Sequence, residues 1–319
     1  MKHKVRINVD KLVCSFRCPE WIYQMIAHKS NGDIIHNDGF DFFITNAQED
    51  EEGTTKILAK CILNNGVTLG SLRLNKNEYN GLAFFAFDNQ ALYNVDGYSD
   101  GKKMNYQFYL SWVAEHLGLA FNSITLLEIA VDANHNVLRR LKQLMRDDDF
   151  DVYINRRKRT DKKKVIEEAH AISPMNCYGL LPKHTMYFAS AKKDVTLKLY
   201  DKEAEISKSG KKYIQDWNSM KKIWRTEVSV RWPKFKEWLS IINSSENYPD
   251  SWKRYINPNA GQPHQSQSEP QEEFIERVFL LLQDEQFLYA TFDYFVDKLL
   301  YLKNKKEKWS VLDIAYSFD

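Results

Sequence analysis

Residues 185–205 read TMYFASAKKDVTLKLYDKEAE, and their alternation of polar and apolar side chains decides the fold class. Two alternating runs flank the short polar segment SAKKD, which is typical of two antiparallel strands joined by a turn. In the second run Thr196, Lys198 and Tyr200 fall on one face of the strand, and leucines fall on the other. The stretch therefore predicts an antiparallel hairpin that places a tyrosine among charged residues at a strand end.

The rest of the chain predicts further strands and several helices. Alternating or continuously apolar runs that indicate strands cover residues 5–16, 54–75, 81–93, 123–134 and 221–232. Apolar residues at helical spacing indicate helices over residues 105–119, 135–150 and 234–243. Because strands and helices alternate irregularly, we expect an α+β fold with a mainly antiparallel sheet and helices packed on one face.

Prolines and polar residues suggest how the chain divides. Residues 243–273 hold four prolines and no sustained apolar periodicity, which is typical of a linker or long loop. We therefore expect a domain over residues 1–242 and a small helical unit over residues 274–319, whose periodicity predicts two helices. This C-terminal unit could recruit a host helicase or form a homodimer, and the sequence does not decide between them.

Composition and cysteine spacing exclude several classes of protein. The 319 residues are 43% hydrophobic with a formal net charge of +2, close to globular averages. No apolar run reaches the roughly 18 residues that span a bilayer, and the N-terminus lacks the apolar core of a signal peptide. The four cysteines lack the paired spacing of a zinc site and are expected to be reduced thiols. We expect a soluble, cytoplasmic protein with no membrane partner.

Two strands carry acidic residues on one face. In LLEIAVD, residues 126–132, Glu128 and Asp132 share a face with a small alanine between them, and carboxylate oxygens are the ligands that Mg²⁺ or Mn²⁺ prefers. The alternative is that Glu128 pairs with a basic residue and Asp132 caps the following turn. In WRTEVSVR, residues 224–231, Glu227 is either an ion-paired surface acid or, if this strand lies beside the first, part of the same acidic group.

Basic residues are concentrated in two segments. Seven of the nine residues 156–164 are Lys or Arg, and four more lysines fall within residues 303–308. A run of like charge repels itself and is usually solvated, but it also suits phosphate, because neutralised phosphates release their counterions. The resulting candidate DNA contacts are Arg156, Arg157, Lys158, Arg159, Lys162, Lys163 and Lys164.

In this order, the motifs resemble the replication initiation factor family, the rolling-circle initiators and relaxases of small plasmids, filamentous phages and integrative elements. VDKLVCSF is similar to its opening strand, ITLLEIAVD to its T-R-L-D-I-A-x-D strand, and WRTEVSVR to its R-x-E-x-x-x-R strand. The hairpin resembles Y-x-G-S-x-x-S-x-x-x-R-x-Y-D-K-x-x-E. The chain departs from these patterns at Leu126, Glu128, Ala189 and Lys198, where the family has Arg, Asp, Gly and Arg.

The resemblance implies a DNA replication initiator that nicks one strand of a single-stranded or hairpin origin. Tyr200 would be the nucleophile, forming a 5′-phosphotyrosyl intermediate and a free 3′-hydroxyl before religation, and Lys202 would steady the phosphate. The metal, Mg²⁺ or Mn²⁺, would be held by Glu128, Asp132 and Glu227. Further DNA contacts would come from Lys198, Arg225 and Arg231. A non-cleaving origin-binding module and a relaxase for conjugative transfer are the alternatives.

Overall fold

The structure is a computed structural model that describes residues 4–37, 39–49, 55–63, 66, 68–75, 78–93, 106–171, 184–258 and 271–317. Its strands are β1 Val5–Arg17, β2 Ile34–Asn37, β3 Phe40–Glu49, β4 Thr55–Leu63, β5 Thr68–Asn75, β6 Leu82–Phe87, β7 Ala120–Ala133, β8 Asp151–Ile154, β9 Arg157–Arg159, β10 Thr185–Ala189, β11 Val195–Asp201, β12 Trp224–Arg231, β13 Leu300–Lys303 and β14 Lys308–Trp309. Its helices are α1 Glu20–Ala27, α2 Asn89–Leu92, α3 Tyr106–Leu117, α4 Val137–Arg146, α5 Lys162–Ala171, α6 Lys202–Ser209, α7 Tyr213–Asn218, α8 Trp232–Ser244, α9 Asp250–Ile256, α10 Gln271–Leu281, α11 Glu285–Leu299 and α12 Val311–Tyr316.

Ten of these strands form one large sheet in the order β10-β11-β12-β7-β1-β6-β5-β4-β3-β2. The predicted hairpin is its β10–β11 edge, where Thr185 pairs with Tyr200 and Ala189 with Thr196 in an antiparallel register. The pairs β11–β12 and β2 through β6 are antiparallel as well. The predicted α+β class with a large antiparallel sheet is confirmed.

A second sheet of four strands, in the order β14-β13-β8-β9, joins segments that are far apart in the sequence. Strand β13 pairs with β8, so that Tyr301 lies opposite Tyr153. Neither basic segment is therefore merely a solvated run: residues 157–159 are a strand, and a strand pair follows the last long helix. Alternating apolar residues are too few in these short strands to predict them.

Contacts divide the chain into two compact units. The first comprises Met1–Val9, Glu128–Phe235 and Glu285–Asp319, and the second comprises Asp10–Leu127 and Lys236–Asp284. Part of the predicted linker is folded, because it contains α9, whose Trp252 is buried and donates from Nε1 to Asp284 Oδ2 at 2.9 Å. The rest of that segment, residues 259–270, lies outside the described residues.

In the first unit, one set of alternate residues on β11 and β12 forms apolar core. Leu197, Leu199, Val228 and Val230 are all at most 1% exposed. Helices α4 and α11 contact both strands, and α11 contributes buried phenylalanines. Burying one face in this way fixes the strand register, because a shift of one residue would turn every leucine and valine to the opposite side. The polar residues of both strands therefore share the other face.

The second unit buries three of the cysteines in its core. Cys14, Cys18 and Cys61 are free and at most 3% exposed. Burial raises the pKa of the Cys61 thiol to about 12 and that of Cys18 to about 11. Among the described helices, none is long and apolar enough to cross a membrane.

We expect these three thiols to resist modification in the folded chain near pH 8. The thiolate is the reactive species, and a raised pKa combined with burial leaves little of it accessible. Labelling with an aromatic disulfide reagent in a Cys177→Ser variant should proceed only after denaturant is added. Stoichiometric labelling of the native protein within minutes would contradict the buried placement.

Candidate active site

The register of β11 and β12 brings Tyr200 to a carboxylate. Lys198 pairs directly with Glu227, and Tyr200 pairs directly with Arg225. Because alternate residues share a face, Tyr200 and Glu227 are diagonal neighbours on the polar side. The Tyr200 Oη donates a hydrogen bond to Glu227 Oε2 at 3.1 Å. The tyrosine and a base that can accept its proton therefore lie in direct contact.

Glu227 is also linked to the acidic strand β7, which is the next neighbour of β12 in the sheet. Lys198 Nζ donates to Glu227 Oε1 at 2.7 Å and lies 4.0 Å from Glu128 Oε1. Ser229 Oγ donates to the same Glu128 oxygen at 2.7 Å. The two carboxylates thus share one ammonium, whose charge offsets the cost of placing both acids on a buried face.

Lys202 reaches Tyr200 from the first residue of helix α6. Strand β11 ends at Asp201, whose side chain caps α6 by accepting from Ala204 N at 3.0 Å. The helix begins at Lys202 and turns its side chain back, so that Nζ lies 3.5 Å from the Tyr200 Oη. Lys202 also forms an ion pair with Glu205, and both side chains are buried. The sequence did not predict this partner of Lys202, although a lysine and a glutamate spaced i,i+3 in a helix indicate an ion pair.

Asp132 and Arg225 form a buried ion pair with each other. Arg225 Nε and Nη2 each donate at 2.7 Å to the two oxygens of Asp132, and Asn218 Nδ2 donates to Oδ2 at 2.8 Å. Arg225 is 1% exposed and Asp132 is 2% exposed. The Asp132 oxygens thus accept from Arg225 and Asn218, and the predicted metal role of Asp132 and phosphate role of Arg225 stay predictions.

Two carboxylates of the first unit, those of Glu128 and Glu227, lie close enough to bind one metal ion together. All-oxygen ligands suit Mg²⁺ or Mn²⁺. In the second unit Asp10, within the VDKLVCSF motif of β1, accepts at Oδ1 from Tyr93 Oη at 2.7 Å and from Asn89 Nδ2 at 3.2 Å.

The polar face around Tyr200 is covered. Tyr200 is 3% exposed, and Ala204 of α6 packs against it. The backbone N–H groups of Lys202 and Glu203 both donate to the Ile223 carbonyl, at 3.1 and 3.2 Å, which fixes the start of α6 beside β12. A substrate that reaches the tyrosine oxygen must therefore enter at the edge of this cover or displace it.

The predicted basic contacts fall into three groups. Arg156, Arg157, Lys158 and Arg159 are exposed around β9, and Arg231 is exposed at the end of β12. Residues 162–164 begin α5, where Lys163 and Lys164 lie 4.0 and 3.9 Å from glutamates one turn on. Lys198 is held within the tyrosine site.

Comparisons with known proteins give a distant structural likeness. No protein-family model matches the chain, and no curated protein matches it. A solved rolling circle replication initiator protein from Geobacillus stearothermophilus aligns with 88% of this chain and 97% of its own, at 12% identity and a TM-score of 0.39. At that distance the likeness transfers no residue role. The roles proposed below therefore come from the motifs and contacts of this chain.

Proposed function

We propose that this chain is a rolling-circle DNA replication initiator, a nicking and strand-transfer endonuclease that cuts one strand at an origin through Tyr200. The observation that carries the proposal is the hydrogen bond from Tyr200 Oη to Glu227 Oε2, at 3.1 Å. Activated nucleophiles in enzymes generally contact a base, and a third group orients that base. Here Lys198 is the third group, since it holds the other Glu227 oxygen.

The reaction follows from these contacts. Glu227 accepts the phenol proton as Tyr200 Oη bonds to the scissile phosphorus. The bond from phosphorus to the 3′-oxygen breaks, and that oxygen takes a proton from water to become the free 3′-hydroxyl. The 5′ end stays linked to Tyr200, which retains the phosphodiester energy for religation. A phenol, with an ordinary pKa of about 10, leaves readily when the reaction reverses.

Lys202 supplies positive charge where the phosphate becomes more negative. Its ammonium lies 3.5 Å from the Tyr200 Oη, within reach of a phosphate oxygen bound at that atom. Glu205 keeps Lys202 in place through their buried ion pair. We assign Lys202 a direct role and Glu205 a positioning role.

Glu128 and Glu227 would hold a divalent metal. The bound ion would polarise a non-bridging phosphate oxygen, the usual contribution of Mg²⁺ or Mn²⁺ to phosphoryl transfer. Lys198 currently occupies the Glu227 Oε1 lone pairs at 2.7 Å. Metal binding at Glu227 therefore competes with this ammonium, and the ion would then take over from Lys198 the orientation of Glu227.

We expect the full-length protein, incubated with Mn²⁺ or Mg²⁺ and a supercoiled or hairpin DNA, to form a covalent adduct that survives denaturing electrophoresis. Chelator should abolish the adduct, because no ion would then offset the charge that develops on the phosphate. Peptide mass spectrometry should find the nucleotide on Tyr200. An adduct on another residue, or equal yield with chelator, would contradict the proposal.

A non-cleaving origin-binding module is the second candidate, and the covered state of Tyr200 favours it. The tyrosine is 3% exposed and its hydroxyl is satisfied by Glu227, as in a structural tyrosine. Such a module would bind origin DNA equally well in chelator and would never release a nicked product. DNA is the partner in either case, while a host helicase and a second copy of the chain are proposed partners of the C-terminal segment.

A further inference from the structure

The four-stranded sheet forms a surface with a strong positive charge. Residues 151–159 and 300–309 contain eight basic side chains and two acidic ones, although the whole chain has a net charge of only +2. All eight basic residues are exposed. The pairing of β13 with β8 brings the two segments together on one sheet, where Lys158, Lys303 and Lys308 share one face and Arg157 and Arg159 share the other. We call this surface the basic sheet.

The hairpin of the basic sheet is held firmly in place. Asn155 and Arg156 form its two-residue turn with φ values of 50° and 63°, the left-handed conformation of a type I′ hairpin. Asn155 N donates to Leu299 O at 2.9 Å, and its Nδ2 donates to Ala189 O at 3.1 Å. The turn is thereby tied to the end of β10, and Arg156 is presented from a fixed backbone.

Two adjoining cavities follow the hairpin toward the strand that carries Tyr200. The larger, of about 340 Å³, is lined by Arg156, Tyr294, Asp297, Lys298, Tyr301, Lys303 and Lys308. The smaller, of about 210 Å³, shares Arg156 and Lys298 and extends to Ser190 and Val195. Val195 is the first residue of β11 and lies on its apolar face, so the smaller cavity meets that strand on the side opposite to Tyr200.

The aromatic rings of this surface are already covered. Tyr153 stacks on Tyr301 with ring centroids 4.6 Å apart, and Lys308 lies over Tyr301 at 4.5 Å. Lys298 lies over the Tyr294 ring at 4.0 Å. Binding to single strands relies on open aromatic faces on which bases stack. The rings here serve the protein's own packing, so the surface offers charge and not a stacking platform.

Most of the charge on the basic sheet is available to a ligand. Lys158 pairs with Asp151 at 2.7 Å, a hydrogen bond that raises the pKa of the lysine, and Lys308 pairs with Asp297. For the other six basic residues, the described part of the chain provides no ion-pair partner. Exposed arginines and lysines on a fixed hairpin match the phosphates of a nucleic acid duplex, whose contacts position the protein without reading bases.

We propose that the basic sheet binds the phosphate backbone of duplex DNA. This deepens the proposed function, because it assigns a double-stranded flank of the origin as the ligand of a surface separate from Tyr200.

The test measures equilibrium binding of a labelled duplex by fluorescence anisotropy at several salt concentrations. All variants carry Tyr200→Phe and are assayed in chelator, so that failure of nicking cannot be mistaken for failure of binding. Arg156→Gln, Arg157→Gln and Lys303→Gln together should weaken duplex binding about tenfold or more. The slope of log affinity against log salt should fall by about 0.9 for each phosphate that the protein no longer neutralises.

A matched control removes three exposed charges from the second unit, by Lys29→Gln, Lys60→Gln and Arg73→Gln. This variant should retain the parental duplex affinity and salt slope. If the first variant is not folded by circular dichroism, Lys305→Gln with Lys306→Gln tests the same surface at exposed loop positions. Unchanged affinity and slope would overturn the proposal. A single strand that competes as well as the duplex would overturn the assignment to duplex.

Discussion

Replacing Tyr200 with phenylalanine is expected to abolish the covalent adduct and to lower the nicking rate by about a thousandfold or more. The substitution removes only the oxygen, which donates its hydrogen bond to Glu227. The ring still packs against Ala204. The expected cost in folding free energy is about 1 kcal/mol, the typical value of one hydrogen bond.

The neighbouring strand offers a matched control for that result. Tyr187 of β10 lies directly opposite Lys198, so it occupies the same polar face one strand away. The Tyr187→Phe variant should still form the covalent adduct and should retain most of the nicking rate. Both variants should have unchanged circular dichroism. If Tyr187→Phe lost the adduct while Tyr200→Phe kept it, the nucleophile would be reassigned to β10.

Replacing Arg225 with methionine is expected to destabilise the protein by about 3–5 kcal/mol. The guanidinium donates two hydrogen bonds of 2.7 Å to Asp132, and both residues are almost completely buried. Removing one partner leaves an uncompensated charge in the interior. Unfolding in denaturant, monitored by fluorescence and by circular dichroism, measures the change.

A second substitution separates this structural role from a role in DNA binding. In the double variant Arg225→Met with Asp132→Leu, neither charge of the buried pair remains, so stability should recover by several kcal/mol relative to the single variant. The parent protein, the single variant and the double variant should bind DNA with equal affinity. A single variant that stayed stable and lost affinity would support the predicted phosphate contact.

Patterns along the sequence predict local structure, but they do not predict side-chain contacts between segments that are distant in the sequence. The alternation in residues 185–201 predicts the hairpin, because one face is apolar and must be buried. It does not reveal that Glu227 accepts from Tyr200, because cross-strand partners depend on register. For the same reason the sequence assigns Asp132 to a metal, although its partner Arg225 lies 93 residues away.

Two further differences between the sequence predictions and the structure have similar causes. The alternation of β11 suggests a strand that continues past Asp201, yet this carboxylate is a preferred N-cap and ends the strand by starting α6. From the basic run at residues 156–164, the sequence predicts a concentration of charge and no strand. The reason is that β9 is three residues long and its sheet is completed by residues 300–309. Short strands depend on pairing for their stability, and pairing cannot be deduced from one segment.

The groups assigned to chemistry and those assigned to anchoring are distributed differently along the chain. Tyr200, Lys202, Glu205 and Glu227 come from one continuous stretch, whereas the basic sheet is assembled from residues on both sides of it. An exchange of either flanking segment between related genes would alter the duplex surface and leave the tyrosine with its base. Under the proposed function, duplex anchoring would thus diverge through recombination while the contact between Tyr200 and Glu227 is retained.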